Sequence, residues 1–172
     1  MLANRLGSAV IASRGDLEIV IERSFDAPAA LVFEAWTTPS LIRRWWGYES
    51  QPLVVCDVDL RVGGGWRYVT RDDVTGVEMG WRGEYREIEP GVRIVSTECF
   101  EDHPAGETLN TLTLAEVDGV TTLTVVVLHT TRANRDAQLA SGMERGLQHG
   151  LDRFERLITP ASPPPTNAEE RP

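Results

Sequence analysis

Six segments with strand-like alternation follow one another after Gly47, and only turn sequences separate them. In order they are LVVCDVDL, GWRYVTRDD, EMGWRGEYREI, VRIVSTECF, ETLNTLTLAEV and VTTLTVVVLHTT. Glycine, proline and aspartate stand between them, as in Pro90-Gly91 and Asp118-Gly119. Strands joined by such short turns pair with their neighbours in sequence, so this part of the chain predicts an antiparallel meander.

A strand and three helices flank the meander. The segment LEIVIERSF alternates as one more strand, and two short helices follow it. Each short helix has a capping residue and an early proline, Asp26 with Pro28 and Thr38 with Pro39. A long helix is expected over residues 134–158, because apolar residues recur there at helical spacing: Leu139, Met143, Leu147, Leu151, Phe154 and Ile158.

This order of elements predicts an α+β fold. We expect a curved, seven-stranded antiparallel sheet, with two short helices after its first strand and one long C-terminal helix over its concave face. The domain is expected to span residues 16–159. Residues 1–15 are weakly patterned and predict a flexible N-terminus. Residues 160–172 are rich in proline and polar residues, which predicts a disordered tail.

The composition disfavours several classes of function. The formal net charge of −9 argues against a nucleic-acid partner, because neutralising phosphates requires clustered cations. No apolar run approaches the roughly 18 residues of a membrane span. The apolar stretch near the start is too short for a signal peptide, so a cytoplasmic protein is expected. The histidines lack metal-ligand spacing, and neither a metal nor a cofactor is expected.

Several segments carry a family resemblance. They are FDAPAALVFEAWTTPSLIRRWWG, DLRVGGGWRY, GEYREIEPGVRIVSTECF, TTLTVVVLH and MERGLQHGLDRFERL. Their order resembles the SRPBCC superfamily, also called START-like, which has the helix-grip fold of the major birch-pollen allergen. The closer resemblance is to its AHSA-like branch, named after a heat-shock-protein ATPase activator, and it covers residues 17–158. Members of the superfamily include lipid binders, polyketide cyclases and co-chaperone domains, so the resemblance implies the fold and leaves the function open.

Alternation places large side chains of two central strands on one face, opposite arginine and glutamate: Trp66, Tyr68, Met79, Trp81 and Tyr85. Because charged side chains favour water, this face is expected to be the concave one. Met143, Leu147 and Leu151 of the long helix are expected to cover it. The rings either fill the core or line a cavity. Their polar atoms favour a cavity, which predicts binding of a small, largely apolar ligand, aromatic or polycyclic.

The segment LIRRWWG belongs to the second short helix. Its four apolar side chains cannot all face water, so Arg43 and Arg44 take the solvent side. We expect Trp45 to pack the helix onto the end of the sheet together with Trp36. Trp46 is then expected at the lip of the cavity.

Three glycines lie four residues apart in the long helix, at Gly142, Gly146 and Gly150. Each interior glycine costs roughly 1 kcal/mol relative to alanine, so a compensating contact is expected. One interpretation is close packing over a large ring such as Trp81 or Trp66. The other is room for a ligand against the bare backbone.

An active site is less well indicated than a cavity. His129 ends a strand on its inward parity and is a weak candidate for a general base, as are the hydroxyls of Tyr68 and Tyr85. The alternative to a binding protein is therefore an enzyme of cyclase, aromatase or hydrolase type that uses the same cavity. A co-chaperone-like interaction module, with a protein partner, is a further alternative, and a homodimer is left open.

Overall fold

The computed structural model describes residues 7–159 of the chain, so the predicted tail and residues 1–6 lie outside the described part. The strands are β1 (Val10–Arg14), β2 (Glu18–Phe25), β3 (Leu53–Val58), β4 (Gly65–Arg71), β5 (Glu78–Glu89), β6 (Arg93–Phe100), β7 (Thr108–Val117) and β8 (Val120–His129). The helices are α1 (Ala29–Thr37), α2 (Pro39–Trp45), α3 (Arg132–Ala140) and α4 (Met143–Ile158), with a 3-10 turn at Pro104–Gly106.

All strands join one antiparallel sheet in the order β1-β2-β8-β7-β6-β5-β4-β3. The predicted meander is confirmed, since each strand from β3 to β8 pairs with the next. The chain leaves β2, passes through α1 and α2 and enters β3 at the opposite edge. The two short helices therefore bridge the sheet.

The sheet has eight strands, so the prediction of seven is wrong. The additional strand, β1, pairs with β2 from Val10 opposite Glu22 to Arg14 opposite Glu18. Four of its five residues are exposed, so it lacks the apolar alternation that reveals a half-buried strand. Backbone pairing with β2 holds it at the edge of the sheet, and Ile11 packs against the core.

The predicted long helix is two helices, α3 and α4, separated by Ser141 and Gly142. Gly142 has φ +81°, a left-handed conformation that a right-handed helix cannot contain and that glycine adopts without strain. Thr131 caps α3, where its Oγ1 accepts a hydrogen bond from the Asn134 backbone N–H at 3.1 Å. Only α4 carries the apolar stripe onto the core, and Leu139 of α3 is exposed.

The short helices differ from the sequence prediction in their caps. Helix α2 begins at Pro39 after Thr38, as predicted, but the Thr38 side chain makes no capping hydrogen bond. Helix α1 begins at Ala29, and Pro28 occupies the N-cap position that was expected for Asp26. Fixed proline backbone angles thus contribute more to these helix starts than side-chain caps do.

An aromatic cluster joins α1, α2 and α4. Phe154 is fully buried, and its ring centroid lies 5.1 Å from that of Trp45 and 5.6 Å from that of Trp36. Trp45 and Trp36 lie 4.8 Å apart, which confirms their predicted packing, and the Trp45 indole N–H donates to the Ala35 carbonyl at 3.0 Å. Phe25 of β2 lies 5.1 Å from Phe154 and extends the cluster onto the sheet.

Glycines bring α4 close to α2 and to the segment after it. A Cβ on Gly150 would lie 3.5 Å from the Trp45 carbonyl oxygen, and one on Gly146 would lie 3.4 Å from the Tyr48 hydroxyl oxygen. The contacts that compensate for glycine in this helix are therefore with α2 and Tyr48. The predicted contacts with Trp81 or Trp66 are not found at these two glycines.

A buried ion pair connects β2 to α4. The Arg23 side chain is fully buried, and it donates through Nη1 to Asp152 Oδ1 at 2.6 Å and through Nη2 to Glu155 Oε2 at 2.5 Å. The two carboxylates lie three residues apart, so they share one face of α4. One guanidinium thus holds two successive carboxylates and orients the helix on the sheet.

We expect Arg23→Ala to lower the free energy of unfolding by about 3–5 kcal/mol, because two largely enclosed carboxylates lose their cation. Urea denaturation followed by circular dichroism measures this loss. Arg14→Ala is the matched control, since Arg14 is an exposed arginine paired with Glu18, and it should change stability little. Similar losses in both variants would contradict a special role for the buried pair.

Candidate functional site

A cavity of about 80 Å³ lies on the inner face of the sheet, beside the end of α2. Five aromatic side chains line it: Trp36, Trp46, Trp66, Tyr68 and Tyr85. Its aliphatic residues are Ile94, Leu112 and Val125, and its polar residues are Ser96, Glu98 and Asn110. The cavity therefore combines an aromatic wall with a polar cluster.

Strand register brings the polar cluster together. Ser96 of β6 stands opposite Asn110 of β7, and on its other side it stands opposite Tyr85 of β5. Glu98 lies two residues beyond Ser96 and therefore points to the same face. Three neighbouring strands thus place a hydroxyl, an amide, a phenol and a carboxyl around one space.

The rings of the aromatic wall contact one another. Trp46 lies 5.0 Å from Tyr68, and Trp66 lies 4.8 Å from Tyr68, measured between ring centroids. Gly83, opposite Trp66 in the register of β4 and β5, makes this possible. A Cβ there would lie 2.6 Å from the Trp66 indole nitrogen, so the ring lies directly over bare backbone.

Glu98 is held by an amide whose own orientation is fixed. Asn110 Nδ2 donates to Glu98 Oε2 at 3.2 Å, and Asn110 Oδ1 accepts from the Thr108 hydroxyl at 2.9 Å. Burial raises the pKa of Glu98 to about 7, and the Asn110 hydrogen bond opposes this only in part. The carboxyl therefore changes its protonation state near neutral pH.

The two tyrosines of the cavity remain protonated at neutral pH. Burial raises the pKa of Tyr85 to about 12, with a smaller contribution from Cys56. Burial also raises the pKa of Tyr68 far above its usual range, and the neighbouring Tyr85, Cys56 and Glu98 add to this. Both phenols can donate hydrogen bonds, and neither supplies a phenolate at neutral pH.

The structure brings together four of the residues predicted to bind a ligand, and they all line the cavity: Trp46, Trp66, Tyr68 and Tyr85. Trp81 stands opposite Tyr68 in the register of β4 and β5, on the same face of the sheet, and its ring lies 6.3 Å from that of Trp46, but it does not line the cavity. The other four lie outside the lining. Leu151 is buried in the core, Met143 and Leu147 pack against the core, and Met79 is partly buried on β5.

His129, the candidate base, lies apart from the cavity lining. Its Nδ1 is 3.1 Å from the Leu17 carbonyl oxygen, and its Nε2 is 2.5 Å from Gln138 Oε1. Both ring nitrogens are engaged, so the side chain links the end of β8 to α3 and to the segment before β2. This arrangement is typical of a structural histidine.

Sequence reasoning missed Glu98, Asn110 and Ser96. In VRIVSTECF the two faces of the strand cannot be told apart by hydropathy, because each mixes apolar and polar residues. Val95 and Cys99 on one face are as buried as Ile94 on the other. The one signal in the sequence for the orientation of Glu98 is its alternation, which places it on the same face of the strand as Ile94 and Ser96.

A family model describes most of the described chain. Residues 26–159 match the model for Activator of Hsp90 ATPase homolog 1-like proteins. The chain belongs to this family. The resemblance to the AHSA-like branch is thereby confirmed, and a comparison with curated proteins found no match.

Solved structures with this fold come from several bacteria. A protein from Rhodobacter sphaeroides is 27% identical and superposes with a TM-score of 0.81 over 87% of this chain and 97% of its own. A Chromobacterium violaceum protein is 27% identical, with a TM-score of 0.73 over 84% of this chain and 99% of its own. A Mycobacterium smegmatis protein, 23% identical, has a TM-score of 0.79 over 90% of this chain and 99% of its own, and shows the same fold.

Neither a metal-binding cluster nor a membrane-spanning helix occurs in residues 7–159. No group of three or more histidine, cysteine, aspartate or glutamate side chains in this range is arranged to hold a metal ion. Within the same range, no helix is long and apolar enough to cross a membrane.

The raised pKa of Glu98 predicts a pH dependence of stability. Its ordinary pKa is 4.5, so between pH 4.5 and about 7 the folded protein holds a proton that the unfolded chain releases. The free energy of unfolding therefore falls as pH rises through this window. Glu98→Gln removes the dependence and should be more stable than the wild type by about 3 kcal/mol at pH 8.

Urea unfolding of both proteins from pH 4.5 to pH 8 measures this difference. Glu22→Gln, at an exposed glutamate of β2, is the control and should follow the wild-type curve. A constant difference between Glu98→Gln and the wild type across the range would contradict the raised pKa.

Proposed function

We propose that the protein binds a small ligand in the cavity between the sheet and α2. The observation that carries the proposal is the combination of an aromatic wall with a polar cluster around one space. Binding pockets have this construction, because apolar walls supply affinity and a few placed polar groups fix the orientation. The ligand's apolar body would lie against Trp46, Trp66 and Tyr68, and its polar group would meet Asn110 and Glu98.

The volume of the cavity limits the ligand. About 80 Å³ leaves room for roughly five to eight water-sized groups. Pockets for drug-sized ligands measure about 300–1,000 Å³. A ligand of a few non-hydrogen atoms would fit the described conformation, whereas an aromatic or polycyclic one would require Trp46 and its neighbours to move.

The family and the fold support the proposal in a general way, because the helix-grip arrangement leaves a concave face that helices cover only in part. Here the aromatic cluster around Phe154 fills the space beneath α4. The cavity that remains lies beside Trp46, at the end of α2.

A fragment screen with a cavity-filling variant tests the proposal. Ser96→Leu places a larger apolar side chain in the cavity, so fragments that raise the melting temperature of the wild type should bind it at least about tenfold more weakly. Thermal shift and tryptophan fluorescence titrations measure this, the latter because Trp46 and Trp66 line the cavity.

The control is Thr113→Leu. It also introduces a leucine, but on the face of β7 opposite to Asn110 and the cavity. It should bind fragments as the wild type does, and circular dichroism checks that both variants are folded. If no fragment binds, or if Ser96→Leu binds all of them normally, the proposal fails.

A second candidate function is catalysis in the same cavity. The observation that favours it is Glu98, a carboxyl group whose pKa of about 7 suits proton transfer at neutral pH. Tyr68 and Tyr85 line the same space and stay protonated, so they can donate hydrogen bonds to a substrate oxygen. This set would serve a cyclase- or hydrolase-type reaction better than His129.

Mass spectrometry of each bound fragment after incubation tests this candidate. We expect any turnover to be lost in Glu98→Gln while binding persists, and the pH profile of the wild-type rate to bend near pH 7. Unchanged turnover in Glu98→Gln would exclude Glu98 as the acid–base group.

A further inference from the structure

We propose that the cavity takes an organic cation, a small substituted ammonium whose alkyl groups lie against the aromatic wall and whose charge pairs with the Glu98 carboxylate. This inference rests on the proposed function, because it assigns a chemical class to the ligand of the same site. It comes from two features that meet at one place, the rings and the carboxyl group.

Aromatic rings form one wall of the cavity. Trp46 and Trp66 each contact Tyr68, at centroid distances of 5.0 and 4.8 Å, and the three rings line the same cavity as Tyr85 and Trp36. Aromatic faces carry negative partial charge and attract cations, most strongly when water is excluded. Several rings around a small space form the kind of aromatic cage that binds substituted ammonium groups.

The Glu98 carboxyl group lines the same cavity. Within residues 7–159, Glu98 forms no ion pair with any arginine, and its hydrogen-bond partner is the neutral amide of Asn110. The titratable groups that border the cavity with it are Tyr68 and Tyr85. By contrast, Asp152 and Glu155, the two carboxylates that α4 turns toward β2, are both paired with Arg23.

In the register of the sheet, His129 is the histidine nearest to Glu98. It faces Thr108 across β7 and β8, and Thr108 faces Glu98 across β6 and β7. Both nitrogens of His129 are already engaged with Leu17 and Gln138. A bound cation would therefore be the charge partner that residues 7–159 do not supply.

Proton release is a consequence of this arrangement. Burial keeps Glu98 protonated up to about pH 7, and a cation beside it would favour the ionised form. Binding would then displace a proton and weaken as the pH falls below that value. The overall charge of −9 attracts cations to the protein as well.

A matched pair of probes separates charge from shape. Choline and its neutral carbon isostere, 3,3-dimethylbutan-1-ol, have nearly the same volume and differ in the charge of the quaternary centre. At pH 8 we expect choline to bind the wild type at least about tenfold more tightly than the isostere. Below pH 7 the choline affinity should fall by about tenfold per pH unit, while the isostere's affinity does not fall.

Calorimetric or NMR titration of both probes against wild type and Glu98→Gln tests the inference. The variant should lose the preference for choline, and Glu22→Gln should retain it. Equal binding of the two probes, or a preference that survives in Glu98→Gln, would overturn the inference.

The failure of this inference and that of the proposed function give different results. If neutral fragments bind and Ser96→Leu weakens them, but choline shows no advantage, the cavity is a binding site of another chemical class. If neither the probes nor any fragment binds the wild type, the proposed function fails as well.

Discussion

The position of α4 depends on Arg23, a fully buried guanidinium that donates to Asp152 and Glu155 on successive turns of the helix. A buried charge of this kind is tolerated only when it is paired, so the helix cannot rotate or slide without leaving a charge unpaired. Phe154 lies between these two carboxylates in sequence and packs on Phe25 of the same strand. Polar pairing fixes the register of the helix, and apolar packing holds it against the sheet.

This anchoring decides where the cavity can be. Near Arg23 the space between α4 and the sheet is filled by Phe25, Phe154, Trp36 and Trp45. The cavity lies beside Trp46 and over β4 to β8. The cavity is therefore covered by the end of α2, and the α4 residues Met143 and Leu147 pack elsewhere.

Much of the fold could be predicted from the sequence, because turn residues separate the strands and prolines begin the short helices. The edge strand β1 could not, since four of its five residues are exposed and leave no apolar pattern. The aromatic wall was predictable through alternation in β4 and β5. Glu98 was not, because both faces of β6 are partly buried and a glutamate is ordinarily assigned to water.

Glu98 is the residue whose presence packing does not explain. Its burial opposes ionisation, its carboxyl accepts a hydrogen bond from a neutral amide, and an apolar side chain of similar size would avoid the cost of desolvating the carboxylate. Asn110 is held in turn by Thr108, so two further polar groups orient the Glu98 carboxyl. This polar arrangement lowers stability at neutral pH and faces a wall of aromatic rings. It has a physical rationale if the cavity binds a molecule that needs a carboxyl group.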